Sequence, residues 1–143
     1  MLPAWNGAMA LLSWKDEYCV GVPSIDQQHS QLVGILNDLH DAMIKGQARN
    51  VTGSLLRKLI DYTKTHFAAE ERYLSSTRFP QYEEHHQQHV DLVKQVDDFA
   101  GRYESGELAL SLHLLDFLRD WLTGHILGSD RQYGAWLIAH GVK

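Results

Sequence analysis

Four long stretches of this chain repeat apolar residues at three- and four-residue intervals, and none sustains the period-two alternation a strand needs. That rhythm confines the 143 residues to an all-α fold. The first stretch, residues 24–45, carries Leu32, Val33, Leu36, Leu39, His40 and Met43 on one face. Ser24 with Gln27 makes a capping-box pattern at its start, and Lys45-Gly46 is a stop. A polar link over residues 47–52 leads to the second, with Leu55, Leu56, Leu59, Tyr62, His66, Phe67 and Leu74. Ser75-Ser76-Thr77 closes it. The third is expected over residues 80–103, with Pro80 in its first turn and His85, His89, Leu92, Val93, Val96 and Phe99 along one side. After the Ser105-Gly106 turn, the fourth begins near Leu108 and carries Leu112, Leu115, Leu118, Trp121, Leu122 and His125. A short last helix over residues 130–139 packs back through Tyr133, Trp136 and Leu137. Amphipathic segments joined by short turns give an antiparallel up-down-up-down four-helix bundle. The expected organisation is one domain: an N-terminal arm over residues 1–23, then the bundle with its short C-terminal helix over residues 24–143.

Hydrophobic residues make up 44% of the chain, enough for a core of that kind. The net charge of −5 and the scatter of basic residues exclude a nucleic-acid partner. Cys19 is the only cysteine, so neither an internal disulfide nor a cysteine metal site is available, and a reducing compartment is expected. The N-terminus lacks a positively charged leader, and no apolar run approaches the ~20 residues of a membrane span. The expectation is a cytoplasmic monomer with no membrane insertion.

Nine histidines set this sequence apart. His66 and Glu70 lie four apart on the second helix, and His85 and His89 four apart on the third. Four residues advance about 6 Å and return to nearly the same face, so each pair can address one site. Imidazole nitrogen with carboxylate oxygen suits iron, zinc or manganese. In an up-down-up-down bundle, His29 near the start of the first helix and His125 near the end of the fourth fall at the same end as those pairs. Asp130 follows His125 by five residues, about 140° out of register on a regular helix. If both are ligands the backbone must break between them, and Gly128 is the residue best able to do so. Asp130 also reads as a simple helix N-cap.

Other polar residues have plainer readings. His40 lies about three turns from His29, too far to share its site, and reads as a hydrogen-bonded core or interface histidine. His86, Glu71 and Glu84 are expected to face solvent. Cys19 reads as a small, partly buried arm residue. Tyr62 and Tyr73 belong to the edge of the core, and His113 and His140 have no partner pattern.

The ordered set Asp26-Gln27-Gln28-His29, His66-Phe67-Ala68-Ala69-Glu70-Glu71, Phe79-Pro80 with His85 and His89, then Trp121-Leu122, His125-Ile126 and Asp130 resembles the hemerythrin family, in particular its single-domain bacterial members. Leu74 and Phe79 stand where such members often have Met and Tyr, and both keep apolar bulk. The segment over residues 1–8 precedes the family's usual start. The resemblance implies two iron ions. His85, His89 and His125 would hold one, His29 and His66 the other, with Glu70 and Asp130 bridging beside a solvent-derived oxo or hydroxo group. The second iron keeps an open position, where the family binds dioxygen reversibly. Phe67, Trp121, Leu122 and Ile126 would line that pocket.

The implied function is dioxygen storage, transport or buffering rather than catalysis, with at most a weak peroxidase-like side activity. Two alternatives stand beside it: an oxygen sensor acting through a separate signalling partner, or a di-iron oxidase, peroxidase or nitric-oxide-handling enzyme. An oxygen-consuming enzyme is a further partner class. Oxygen-activating carboxylate bundles characteristically use two Glu-x-x-His motifs; here Glu83 to His86 is a single copy. Seven ligands also exceed what one closed tetrahedral zinc site requires.

Overall fold

The computed structural model describes residues 11–107 and 112–142. A turn of 3-10 helix, Asp16–Tyr18, precedes α1 (Pro23–Ile44), α2 (Arg49–Ser76), α3 (Tyr82–Glu104), α4 (Leu112–Gly124) and α5 (Arg131–Ala139). Between α4 and α5 the chain does not break: His125–Asp130 forms a π-helical turn that carries one helix into the next. The fold is an all-α four-helix bundle. The expected segment over residues 1–8, the start of α4 near Leu108 and the packing of Leu112 lie outside what is described. Among the described residues, no helix is long and apolar enough to cross a membrane.

The helix ends differ in detail from the sequence expectation. The capping box at Ser24 does not form. Pro23 occupies the first turn of α1, where its fixed φ already suits the helix, and Val22 stands at the cap without a side-chain bond. The Asp26 carboxylate accepts from the backbone N–H of Val20 at 2.7 Å and of Gly21 at 3.3 Å, so it ties the arm to the helix. Helix α2 starts at Arg49, inside the stretch read as a link, because Ala48 accepts from Val51 and Thr52 and opens the first turn. Pro80 lies in the turn before α3 rather than in its first turn. The α2 end is closed by Arg78 at φ 57°, in the left-handed region, and the tight turn that follows delays α3 to Tyr82.

Two apolar clusters fill the bundle. One runs through Leu32, Leu36, Leu39, Leu56, Ile60, Phe67, Leu92, Val96 and Leu115. The other, built from Val20, Val22, Ile25, Leu74, Phe79, Tyr133 and Leu137, plugs the end where α5 and the arm fold over. The arm closes tightly because Gly134 has no side chain: a Cβ there would stand 2.2 Å from the Val20 carbonyl oxygen and 3.1 Å from Val20 Cβ. Further along, Asn37 clamps the arm at Leu12, accepting from its N–H at 3.0 Å and donating to its carbonyl at 2.7 Å.

Gly134→Ala should therefore lower stability by about 1–3 kcal/mol, the usual cost of overpacking. Gly101→Ala, in α3 with nothing within 4 Å of the new methyl, should instead gain about 0.5–1 kcal/mol. Urea unfolding of both variants checks the contrast, and equal effects would show that the arm contact is not tight.

Candidate metal centre

Between the two apolar clusters lies a polar layer. On α1 it is His29, one turn past Ile25 and one before Leu32. On α2, His66 stands directly before Phe67, and Glu70 lies one turn before Leu74. On α3, His85 and His89 precede Leu92, and the π-turn supplies His125 and Asp130. All seven are buried, and Glu70 and Asp130 have no exposed surface at all. The helical spacing brings the pairs round as expected, and the up-down topology stacks the ends.

The donor atoms form two overlapping groups. One ligand atom from each of Glu70, His85, His89, His125 and Asp130 lies within 4.8 Å of the others, and the same holds for His29, His66, Glu70 and Asp130. The two carboxylates belong to both groups. Glu70 Oε2 is 2.7 Å from His66 Nε2 and 2.9 Å from His29 Nε2, while its Oε1 is 3.2 Å from His85 Nε2 and 3.3 Å from His89 Nε2. Asp130 mirrors this, with Oδ2 3.0 Å from His29 and Oδ1 3.1 Å from both His85 and His125. Those Asp130 contacts are close but not aligned as hydrogen bonds, so both its oxygens remain buried without one. Tyr133 donates its hydroxyl to Glu70 Oε2 at 2.8 Å.

Asp130 reaches the layer through the π-turn. The expected break at Gly128 is a correction: the widened turn absorbs the extra residue, and no positive φ is used at Gly128. Asp130 makes no capping bond to α5 either, which removes the reading of it as a simple N-cap.

The electrostatics match a donor set made for cations. Burial opposes charge on His29, but close contact with Asp130 and Glu70 outweighs it and pushes the imidazole up to about 10. The same competition takes His85 up to about 9. Burial would raise Glu70, yet the charge of His66 and hydrogen bonds from His29, His66 and His85 hold it well below the usual carboxylate range. Burial and the charge of Glu70 likewise oppose ionisation of Asp130, and the positive neighbours led by His125 keep it depressed. Burial, then the charges of Glu70 and Asp130, push Tyr133 well above its ordinary value, so it stays a neutral donor.

The residues fit a metal pair. His66 Nδ1 is committed to Gln28 Oε1 at 2.6 Å and His89 Nδ1 to Glu71 Oε2 at 2.7 Å, so the Nε2 atom of each ring faces inward. His89 Nε2 and His125 Nε2 stand only 3.1 Å apart, a separation that a shared cation or proton makes tolerable.

Three residues escaped the sequence reading or were misjudged. Glu71, expected in solvent, is mostly buried and accepts from two histidines, because α3 packs against its side of α2. His86 is about half exposed, and its Nδ1 bonds Glu71. Gln28, one residue before His29, accepts from His66 Nδ1. No spacing rule reveals these partners, which depend on the register between helices. Of the remaining residues, Cys19 is exposed rather than partly buried, and His40 Nδ1 is buried with no hydrogen-bond partner, unlike the bonded histidine expected. His113 is exposed, and His140 stacks on Trp136 outside the layer.

A four-helix bundle with five imidazoles and two shared carboxylates in one buried layer defines the class of non-haem metal-carboxylate bundles. Comparison with known proteins narrows it. Residues 20–137 match the hemerythrin HHE cation binding domain, and the chain belongs to the hemerythrin family. It is 36% identical over 132 residues to a bacteriohemerythrin of Stenotrophomonas maltophilia, covering 92% of this chain and 85% of that one. Against the bacteriohemerythrin of Methylococcus capsulatus it is 33% identical over 132 residues, 92% of this chain and 100% of the relative. A crystal structure of wild-type hemerythrin superposes with a TM-score of 0.86 at 32% identity, covering 90% of this chain and 98% of that one. The family binds a di-iron centre, and its fold here supports a di-iron oxygen-binding protein.

The raised imidazoles carry a pH signature in protein stripped of metal with a chelator. Because His29 and His85 sit above 6.5 in the fold, their contribution is fully present below pH 6.5 and is lost as pH rises through about 9 to 10. Glu70 and Asp130, both depressed, contribute above the ordinary carboxylate range and cease to do so on acidification below it. The thermal midpoint should therefore fall from pH 7 towards pH 10 as well as in acid. A flat alkaline limb would contradict the pairing.

Proposed function

We propose that His85, His89 and His125 hold one iron, that His29 and His66 hold the other, and that Glu70 and Asp130 span both beside a solvent-derived bridge. On this reading the protein binds dioxygen reversibly, in the cytoplasm, for storage, transport or buffering. The observation that carries it is the inequality of the two overlapping donor groups, five ligand atoms against four, with both carboxylates in common. The larger group would hold its iron with five protein ligands and the smaller with four, so the second iron would be the one with room for a small diatomic. The iron pair, when bound, supplies electrons to dioxygen and recovers them on release.

The surrounding side chains keep that exchange free of water. Phe67 lies flat on His89, with ring centroids 3.6 Å apart and planes within 3°. Trp121 covers His125 in the same way, at 4.4 Å and 16°. Together with Leu122, Leu32 and Leu92 they line an apolar cavity of about 50 Å³ in the bundle core. Ile126 is buried beside His125 but does not line that cavity. Apolar walls withhold the protons that would turn bound dioxygen into released peroxide, because an ion entering them would lose its hydration.

An oxygen-activating carboxylate bundle would need its Glu-x-x-His motif turned inward. Here Glu83 is exposed and His86 is engaged with Glu71, which favours binding over oxidation.

The test is optical. Reduced protein loaded with two irons per chain, exposed to oxygen and then purged, should gain and lose a visible charge-transfer band through repeated cycles. Irreversible bleaching coupled to consumption of an added reductant would instead establish a di-iron oxidase. His66→Ala should lower iron loading and abolish the band; a band left unchanged would overturn the ligand assignment.

A further inference from the structure

The outward-facing nitrogens of the inner imidazoles are not treated alike. His89 Nδ1 donates to a carboxylate, Glu71 Oε2, at 2.7 Å. The other oxygen of Glu71 accepts from His86 Nδ1 at 2.6 Å, and His86 is itself stacked on Tyr82 with ring centroids 5.8 Å apart and planes within 7°. Glu71 is thus clamped at both oxygens, with only 18% of its side chain exposed. On the other side of the layer, His66 Nδ1 donates at 2.6 Å to the neutral amide oxygen of Gln28. His29 Nδ1, in the same donor group as His66, is buried with no partner at all.

A carboxylate behind an imidazole N–H withdraws the proton partway and leaves more electron density on the far nitrogen, whereas an amide fixes the ring with little such transfer. We propose that Glu71 and Gln28 are positioning residues that make the two metal positions unequal. Glu71, held by His86, strengthens the three-histidine position through His89. Gln28 orients His66 at the two-histidine position without adding charge there. The position that must stay open to a ligand is then the one with the weaker, charge-free support. This rests on the ligand set proposed above.

The experiment is release of iron(II) from the loaded protein to an excess of a coloured chelator, together with a redox titration of the iron pair. Glu71→Ala should speed release of one of the two irons about 10–100-fold and leave the other within about twofold. Gln28→Ala should act on the opposite phase. Glu71→Gln, which keeps an acceptor oxygen but not the charge, should release iron at an intermediate rate and shift the midpoint potential upward, a change that loss of packing alone would not give. The inference is overturned if Glu71→Ala accelerates both irons equally or neither, or if Glu71→Gln leaves the potential where it was. Should the unaltered protein fail to hold two irons per chain, the ligand set falls and this inference with it. Two irons held, with release indifferent to Glu71, would sink this inference alone.

Discussion

Two carboxylates with no exposed surface, Glu70 and Asp130, stand among five buried imidazoles in the middle of a helical bundle. Left unpaired, ions at such depth would cost several kcal/mol each. The structure offsets that cost by alternating charge. Every carboxylate oxygen is within 3.3 Å of at least one imidazole nitrogen, and the Tyr133 hydroxyl supplies a further neutral donor. Hydrophobic burial cannot be what holds this layer; mutual electrostatics, or a cation, must.

The apolar clusters on either side convert that constraint into a fold. Ile25 and Leu32 flank His29 on α1, and Phe67 and Leu74 flank Glu70 on α2, so the same helices that bury the core carry the polar layer into register. The smaller cluster is a lid of unusual construction. It depends on the arm, which is fastened by Asp26 at Val20 and reaches Gly134 closely enough to exclude a methyl group. Anything that binds the folded layer and not the unfolded chain adds its binding energy to the stability of this lid. Folding of the layer and closure of the arm over it are therefore coupled.

The bundle was legible because helical periodicity and turn residues are local, and the ligand pairs because four-residue spacing forces two side chains to one face. His66 with Glu70, and His85 with His89, needed nothing beyond that rule. Placing His29 and His125 at the same end needed the topology, which short connections supply. What could not be read was register between neighbours. Glu71 follows Glu70 by about 100° around α2, which argues for solvent until α3 is set against it and brings His86 and His89 to its two oxygens. The capping box of Ser24 with Gln27 is absent because α1 starts one residue earlier, at Pro23, which places Ser24 inside the helix rather than at its cap.

The turn between His125 and Asp130 shows how the layer overrides local preference. Regular helix would carry Asp130 to the wrong face, and a break would free backbone groups in a buried region where water cannot satisfy them. Widening a single turn to the π form keeps the chain helical and hydrogen-bonded while admitting one more residue. Such turns are less favourable than α-helix and persist where something else determines the geometry. Here Asp130 oxygens sit 3.0–3.1 Å from three imidazoles contributed by α1, α3 and the π-turn itself. A carboxylate required at that point sets the shape of the backbone around it, so the irregular turn is a consequence of the site and not a flaw in the helix.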